Sequence, residues 1–125
     1  MIIKETSGSP YVKLSAEENC FEIKGNSFSN IINEVYSKVL TWIDEEMPKI
    51  DYIINFKFNF NVSNSVTYKN ILIMMSKFVK LKEQGQKINI LWYYNKDDED
   101  SLAIGEDIEE LFNLSVKFIE KKINY

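Results

Sequence analysis

"IDYIINFKFNFN", residues 50–61, alternates apolar and polar side chains almost without fault, and that alternation decides the kind of fold. Ile50, Tyr52, Ile54, Phe56, Phe58 and Phe60 share one face; Asp51, Asn55, Lys57, Asn59 and Asn61 share the other, with Ile53 the exception. A period of two marks a strand with one buried face. A strand in a sheet covered on both faces reads as a continuous apolar run instead. The alternation therefore predicts helices on one face of the sheet and a largely polar, solvent-facing opposite face.

Four further stretches have strand character. "PYVKL" (10–14) and "CFEIK" (20–24), separated by "SAEEN", read as a hairpin. "KINILWYY" (87–94) puts Ile88, Ile90, Trp92 and Tyr94 on one face, and "LSVKFI" (114–119) does the same with Leu114, Val116 and Phe118. Between the strands, residues 29–46 carry Ile32, Val35, Tyr36, Val39 and Ile43 at helical spacing, with Ser27 as the expected N-cap and Asn30 in place of the capping-box acid. Residues 65–84 carry a stripe of Tyr68, Ile71, Leu72, Met75, Phe78 and Val79. Gly85 ends that helix, and Lys77, Lys80 and Lys82 complement its negative end. A third helix spans 99–111, with Leu102, Ile108, Leu111 and Phe112 inward. The order β-β-α-β-α-β-α-β predicts an α/β fold with a mixed five-stranded sheet, in one domain over 1–125. Only the tail and the extreme N-terminus read as frayed.

The composition narrows the chemistry. Hydrophobic residues at 45% and charged residues at 27% describe a folded globule rather than a disordered chain. A net charge of −4 argues against a nucleic-acid partner, which needs clustered cations. There is no histidine, and all 15 basic residues are lysine. That removes the imidazole base, the His-ligated zinc site and the guanidinium fork for phosphate. Most enzyme classes become less accessible, and no cofactor or metal site is expected. Cys20 is the single cysteine, so no internal disulfide can form, and its apolar surroundings predict a buried structural thiol. The opening "MIIKETSGSP" is too short in apolar residues for a secretory core, and no stretch has the length of a membrane span. A cytoplasmic protein without a membrane partner is the expectation.

Two segments stand out as candidate sites. Eight of the 19 acidic residues fall in 97–110, with no lysine among them. "NKDDEDSLAIGE" lacks the ligand spacing of a calcium loop, whereas acids at a helix start complement the macrodipole. A docking surface for a basic partner stays open there, and so does the alternative of a small metal-dependent enzyme using these carboxylates. The other segment is "NFNVSNSVTYKN", residues 59–70, which packs Ser63, Ser65, Thr67, Asn59, Asn61 and Asn64 into one strand-to-helix turn. Such residues cap helices and build turns. A helix N-terminus also favours anions, so a hydroxyl there is a good acceptor for a phosphate. Spacing alone does not separate the two readings. Among the aromatics, Trp92 and Tyr94 share the apolar parity of their strand, whereas Tyr93 faces the other way and is a candidate contact.

"GNSFSN", "VLTWIDEE", "FKFNFNVSNS", "LWYYNKDDED" and "GEDIEELF", in that order over roughly residues 10 to 120, resemble the bacterial SiaC family of regulatory phosphoproteins. That family has a Gly-x-Ser-x-Pro-Glu-Asn opening, a helix with a Trp, a Tyr-x-Asn-Thr-Ser-Ser junction and a Trp-Tyr-Tyr strand followed by acids. The resemblance implies a STAS-like domain, similar to anti-sigma-factor antagonists, that performs no catalysis. It also implies partner switching governed by kinase and phosphatase, with a diguanylate cyclase, and so cyclic-di-GMP signalling, as the output. Carried over position by position, the opening glycine and serine are Gly25 and Ser27, with Ser29, Asn30 and Ile31 in place of Pro-Glu-Asn. The junction asparagine is Asn61, the phosphorylated threonine falls on Val62, and the two serines fall on Ser63 and Asn64. Valine cannot carry a phosphate. Either a neighbouring hydroxyl, Ser63 first and Ser65 second, has taken over, or the chain binds constitutively. Asn61, Val62, Ser63, Asn64, Ser65 and Tyr93 are the expected partner-binding residues. If the strand parity of 50–60 continues, Val62 points inward and Ser63 outward.

Overall fold

The computed structural model describes residues 1–122, which form one six-stranded sheet and three α-helices. The strands are β1 (Ile2–Ile3), β2 (Tyr11–Ser15), β3 (Cys20–Ser27), β4 (Ile54–Ser63), β5 (Ile88–Tyr94) and β6 (Ser115–Glu120). The helices are α1 (Ile32–Glu46), α2 (Ser65–Glu83) and α3 (Glu99–Phe112), and a 3-10 turn, Met47–Lys49, extends α1. Strand order in space follows the sequence, with β1–β2–β3 antiparallel and β3–β4–β5–β6 parallel. Parallel crossovers are right-handed, so sequential order places all three helices on the same side. The one-sided α/β fold expected from residues 50–61 is the fold observed.

The sixth strand is the first departure. Ile2 and Ile3 pair with Lys13 and Val12, and the Met1 amino group donates to the Leu14 carbonyl at 2.7 Å. The N-terminus is thus tied into the sheet rather than frayed. The last three residues, where the sequence predicts a frayed tail, lie outside the described residues.

Phe56, Phe58 and Phe60 form the centre of the core. Phe56 pairs with Phe21 and Ile90 on the neighbouring strands, and Phe58 pairs with Ile23 and Trp92. The rings pack in a continuous column, with Phe56–Phe58 centroids 5.0 Å apart and Phe58–Trp92 centroids 5.7 Å apart. Phe78 of α2 closes on Phe56 at 5.1 Å, which seats the helix over the middle strand. Each ring of this size removes a large apolar area from water, and the aliphatic side chains of the helices fill in around the column.

The boundaries hold to within a few residues, with instructive exceptions. β4 begins at Ile54 rather than residue 50, because Ile50 leaves the 3-10 turn and Tyr52 is tied across to the Ala16 carbonyl at 2.5 Å. α1 begins at Ile32, and Ser27 is not its cap; Ser27 is the last residue of β3, fully buried. Cys20 is half-buried rather than buried, because Phe21 and Ile23 take the inward parity of β3. On α2 the buried residues also include Thr67, Asn70, Met74 and Leu81, whereas Tyr68, Leu72 and Val79 are only half-buried. As the middle helix, α2 has a neighbour on either flank, which spreads its apolar arc. On α3 the expected inward Leu111 is 67% exposed, while Gly105 is buried against Trp92 and Phe118. A β-carbon on Gly105 would lie 2.6 Å from Phe118 Cε1 and 2.8 Å from Trp92 Cδ1. The missing side chain lets α3 lie close on β5 and β6. Among the described residues no helix is long and apolar enough to cross a membrane.

Candidate partner-binding site

Parallel strands deliver their C-terminal ends, and the helix starts that follow them, to one edge of the sheet. The ends of β3, β4 and β5 therefore meet there, with the starts of α2 and α3 beside them.

At the β4–α2 junction, Asn64 is the N-cap of α2 and accepts from the Thr67 backbone N–H at 3.1 Å. Its side-chain NH2 donates to the Phe28 carbonyl at 3.3 Å. Asn26 Oδ1 accepts from the Val62 N–H at 3.2 Å, so the turn is stitched both to the end of β3 and, through Phe28, to the loop after it. The capping role that residue types predict at this turn thus falls on one residue, Asn64. Asn61, Val62, Ser63, Asn64 and Ser65 are all exposed. The strand continues to Ser63, but Val62 is 56% exposed rather than turned into the core, because β4 has run past the end of the helix layer.

Beneath the exposed turn lies a buried chain of hydroxyls that the sequence does not reveal as a unit. Thr67 Oγ1 donates to the Ser27 carbonyl at 2.7 Å, and Ser27 Oγ lies 2.6 Å from Thr67 Oγ1 and 2.7 Å from the Tyr36 OH. Each hydroxyl has a single proton, so the chain has one direction: Tyr36 donates to Ser27, and Ser27 donates to Thr67. Burial pushes the Tyr36 phenol up to about 12. The one sequence signal for Thr67 is its place four residues before Ile71 on the buried face of α2.

At the β5–α3 junction Asp98 is the N-cap and accepts from the Ser101 N–H at 3.0 Å. Trp92 Nε1 donates to the Ser101 carbonyl at 2.9 Å, anchoring that start to the core. The two junctions face one another across an open groove of about 550 Å³. The residues from Asn61 to Ser65, with Tyr68, form one wall, and Asp98, Asp100, Ser101, Ile104 and Asp107 form the other. Two segments that stand apart in sequence are thereby one surface. Lys121 ties down the end of β4 beside the groove, donating to the Phe60 carbonyl at 2.7 Å and to Asn61 Oδ1 at 3.4 Å. Its partial burial lowers its pKa, and the charge of Asp98 opposes that shift.

Tyr93 does not join this site; it is half-buried on the open face of the sheet beside Ile119 of β6. Among the described residues no three acidic or cysteine side chains converge as a metal cage would require, the 97–110 segment included.

A family model for the SiaC family regulatory phosphoproteins matches residues 3–121, nearly the whole chain. The chain belongs to the SiaC family. No individual curated protein matches it. Among solved structures it is similar to a chain in the complex of the diguanylate cyclase SiaD with its activator SiaC from Pseudomonas aeruginosa. The TM-score is 0.88 at 13% identity, over 97% of this chain and 99% of that one. Apo-SiaC from the same organism superposes with a TM-score of 0.81 at 15% identity, over 98% of each chain. At such identities the superpositions establish a shared fold, while the family model establishes membership.

Proposed function

We propose that the chain is a non-enzymatic, cytoplasmic regulator that binds a signalling protein through the groove between the β4–α2 and β5–α3 junctions. Phosphorylation at that groove would control the contact. SiaC of Pseudomonas aeruginosa is described as the activator of the diguanylate cyclase SiaD, and a cyclase of that kind is the proposed partner, with a kinase and a phosphatase acting on the switch. The observation that carries the reading is the gathering of five exposed junction residues, Asn61 to Ser65, opposite Asp98, Asp100 and Asp107 in one open groove of a family phosphoprotein.

Ser63 is the proposed phosphate acceptor, with Ser65 second. Both hydroxyls are exposed, whereas Ser27 and Thr67 are buried and committed to each other. A phosphate on Ser63 adds about −1.5 to −2 charges beside the start of α2, whose free N–H groups favour it. The same charge enters a contact surface that already holds three carboxylates, and a partner would have to desolvate it there. Ser63→Asp should therefore weaken partner binding, and Ser63→Ala should preserve it. The test is to incubate the protein with the cognate kinase, map the modified residue by mass spectrometry and titrate partner with both variants. Modification of neither Ser63 nor Ser65 would sink the switch. Constitutive binding would then be the reading, favoured by Val62 standing where the resemblance places the family threonine.

A further inference from the structure

Three of the eight large apolar side chains that the described surface exposes belong to the β4–α2 junction and the segment that leads from β3 to α1: Phe28 at 45%, Ile31 at 42% and Val62 at 56%. Val62 comes from β4 and the other two from the segment between β3 and α1; contacts tie Phe28 and Val62 to the junction, and Ile31 follows Phe28 by three residues. Ser63 pairs with Ser27 across the β3–β4 ladder, which sets Phe28 beside the junction. The Asn64 side chain holds the Phe28 carbonyl, and the Asn26 side chain holds the Val62 N–H. Phe28 rests on Gly8, where a β-carbon would lie 3.2 Å from its ring. Ile31 is the N-cap of α1, a position where a polar cap is the norm, and no side-chain cap bond is made there. Clustered apolar exposure of this kind marks contact surfaces, and single scattered residues do not.

We infer that Phe28, Ile31 and Val62 are the apolar anchors of the partner-binding surface, and that the partner segment they receive is amphipathic, apolar toward these three and cationic toward α3. The inference rests on the partner-binding reading above and deepens it. Charge complementarity supplies the second half: across the groove, Asp100 and Asp107 have no ion-pair partner among the described residues. Of the three anchors Val62 lines the groove itself. A segment with lysine or arginine along one side and aliphatic or aromatic residues along the other would meet the carboxylates of α3 and the apolar residues of the β4–α2 side together. The arrangement also accounts for a phosphate at Ser63 acting as an off-signal. It would stand on the apolar side of the groove, where the partner has no cation to meet it.

The test uses the protein that the wild-type chain captures from native lysate, purified and titrated by calorimetry. Phe28→Ala and Ile31→Ala should each weaken binding about tenfold or more, in keeping with central apolar anchors. The double variant Asp100→Lys/Asp107→Lys should weaken it similarly at low salt, with the difference from wild type shrinking at high salt. Ile53→Ala removes an equally exposed residue just before β4 begins, at the far end from the junction, and should bind within about twofold of wild type. Val62→Asp is the second anchor variant should the Phe28 or Ile31 changes disturb folding, which circular dichroism reports. If anchor variants that fold bind like wild type while Ser63→Asp binds weakly, the anchors are wrong and the switch reading stands. If the anchor variants lose binding and Ser63→Asp does not, the anchors stand and the switch reading falls. A wild-type chain that captures no protein overturns both.

Discussion

The β4–α2 and β5–α3 junctions are the same device built twice, and they differ in what they leave free. Each is a parallel strand entering a helix through an Asx cap, Asn64 in one and Asp98 in the other. At the first, the groups that hold the turn are neutral and partly hidden: Asn64 reaches back to Phe28, and Thr67 reaches down to Ser27. Above them Ser63 and Ser65 remain exposed. At the second, the turn is held by Trp92 from below, and the helix start exposes carboxylates. One junction thus separates structural hydroxyls from available ones, whereas the other presents fixed charge. Two walls of unlike chemistry meet in the groove.

The largest test of this contrast is at the buried hydroxyls. Thr67→Val keeps the shape but strands the Ser27 hydroxyl proton and the Ser27 carbonyl in the core. It should cost about 3 kcal/mol in urea unfolding, far more than removing an exposed hydroxyl such as Ser63.

Alkaline pH attacks the same chain from the other end. The folded Tyr36 phenol is raised to about 12, above the ordinary 10 of the unfolded chain. A raised folded value means a contribution fully present below pH 10 and lost as pH climbs toward 12. One pH unit corresponds to about 1.4 kcal/mol, so the loss should approach about 2–3 kcal/mol. Lysines titrate in that window too, so the measurement is the difference between wild type and Tyr36→Phe. Equal slopes for the two would refute it.

Gly105→Ala examines the second junction. Alanine favours a helix by about 1 kcal/mol over glycine, but its β-carbon would overlap Phe118 and Trp92. Overpacking should win, with a net loss of about 1–2 kcal/mol and a lower melting temperature. An unchanged or raised melting temperature would show that α3 is free to lift off the sheet.

The smallest effects come from the caps themselves. Asp98→Ala should cost about 1 kcal/mol, the usual value of a cap, and Asn64→Ala somewhat more, because the bond to Phe28 is lost as well. Equal losses in thermal unfolding would mean that the tie to the β3–α1 loop contributes nothing to stability.

Much of this molecule is legible along the chain. The alternation of residues 50–60 contains the one-sided sheet, since each Phe on that face needs a helix above it and each Asn or Lys on the other needs water. All three helices lie where periodicity puts them, with starts and ends shifted by at most a few residues. The misreadings share one cause. Ser27, Cys20, Val62 and Leu111 were each placed by their immediate neighbours, yet their burial depends on elements distant in sequence. Ser27 is buried because α1 and α2 close over it through Tyr36 and Thr67, and Val62 is exposed because β4 outruns the helix layer.

The groove is the clearest case. Residue types by themselves marked 59–70 as a polar strand-to-helix turn and 97–110 as an acidic helix start, with the use of each left open, because capping and dipole complementarity act over a few residues. That the two are walls of one groove, and that Tyr93 lies outside that groove, only the tertiary structure decided. Adjacency across a parallel sheet is set by strand order and register, which no local pattern encodes. The same holds for the buried hydroxyl chain, whose members lie up to 40 residues apart and become one hydrogen-bonded unit only when β3, α1 and α2 pack together.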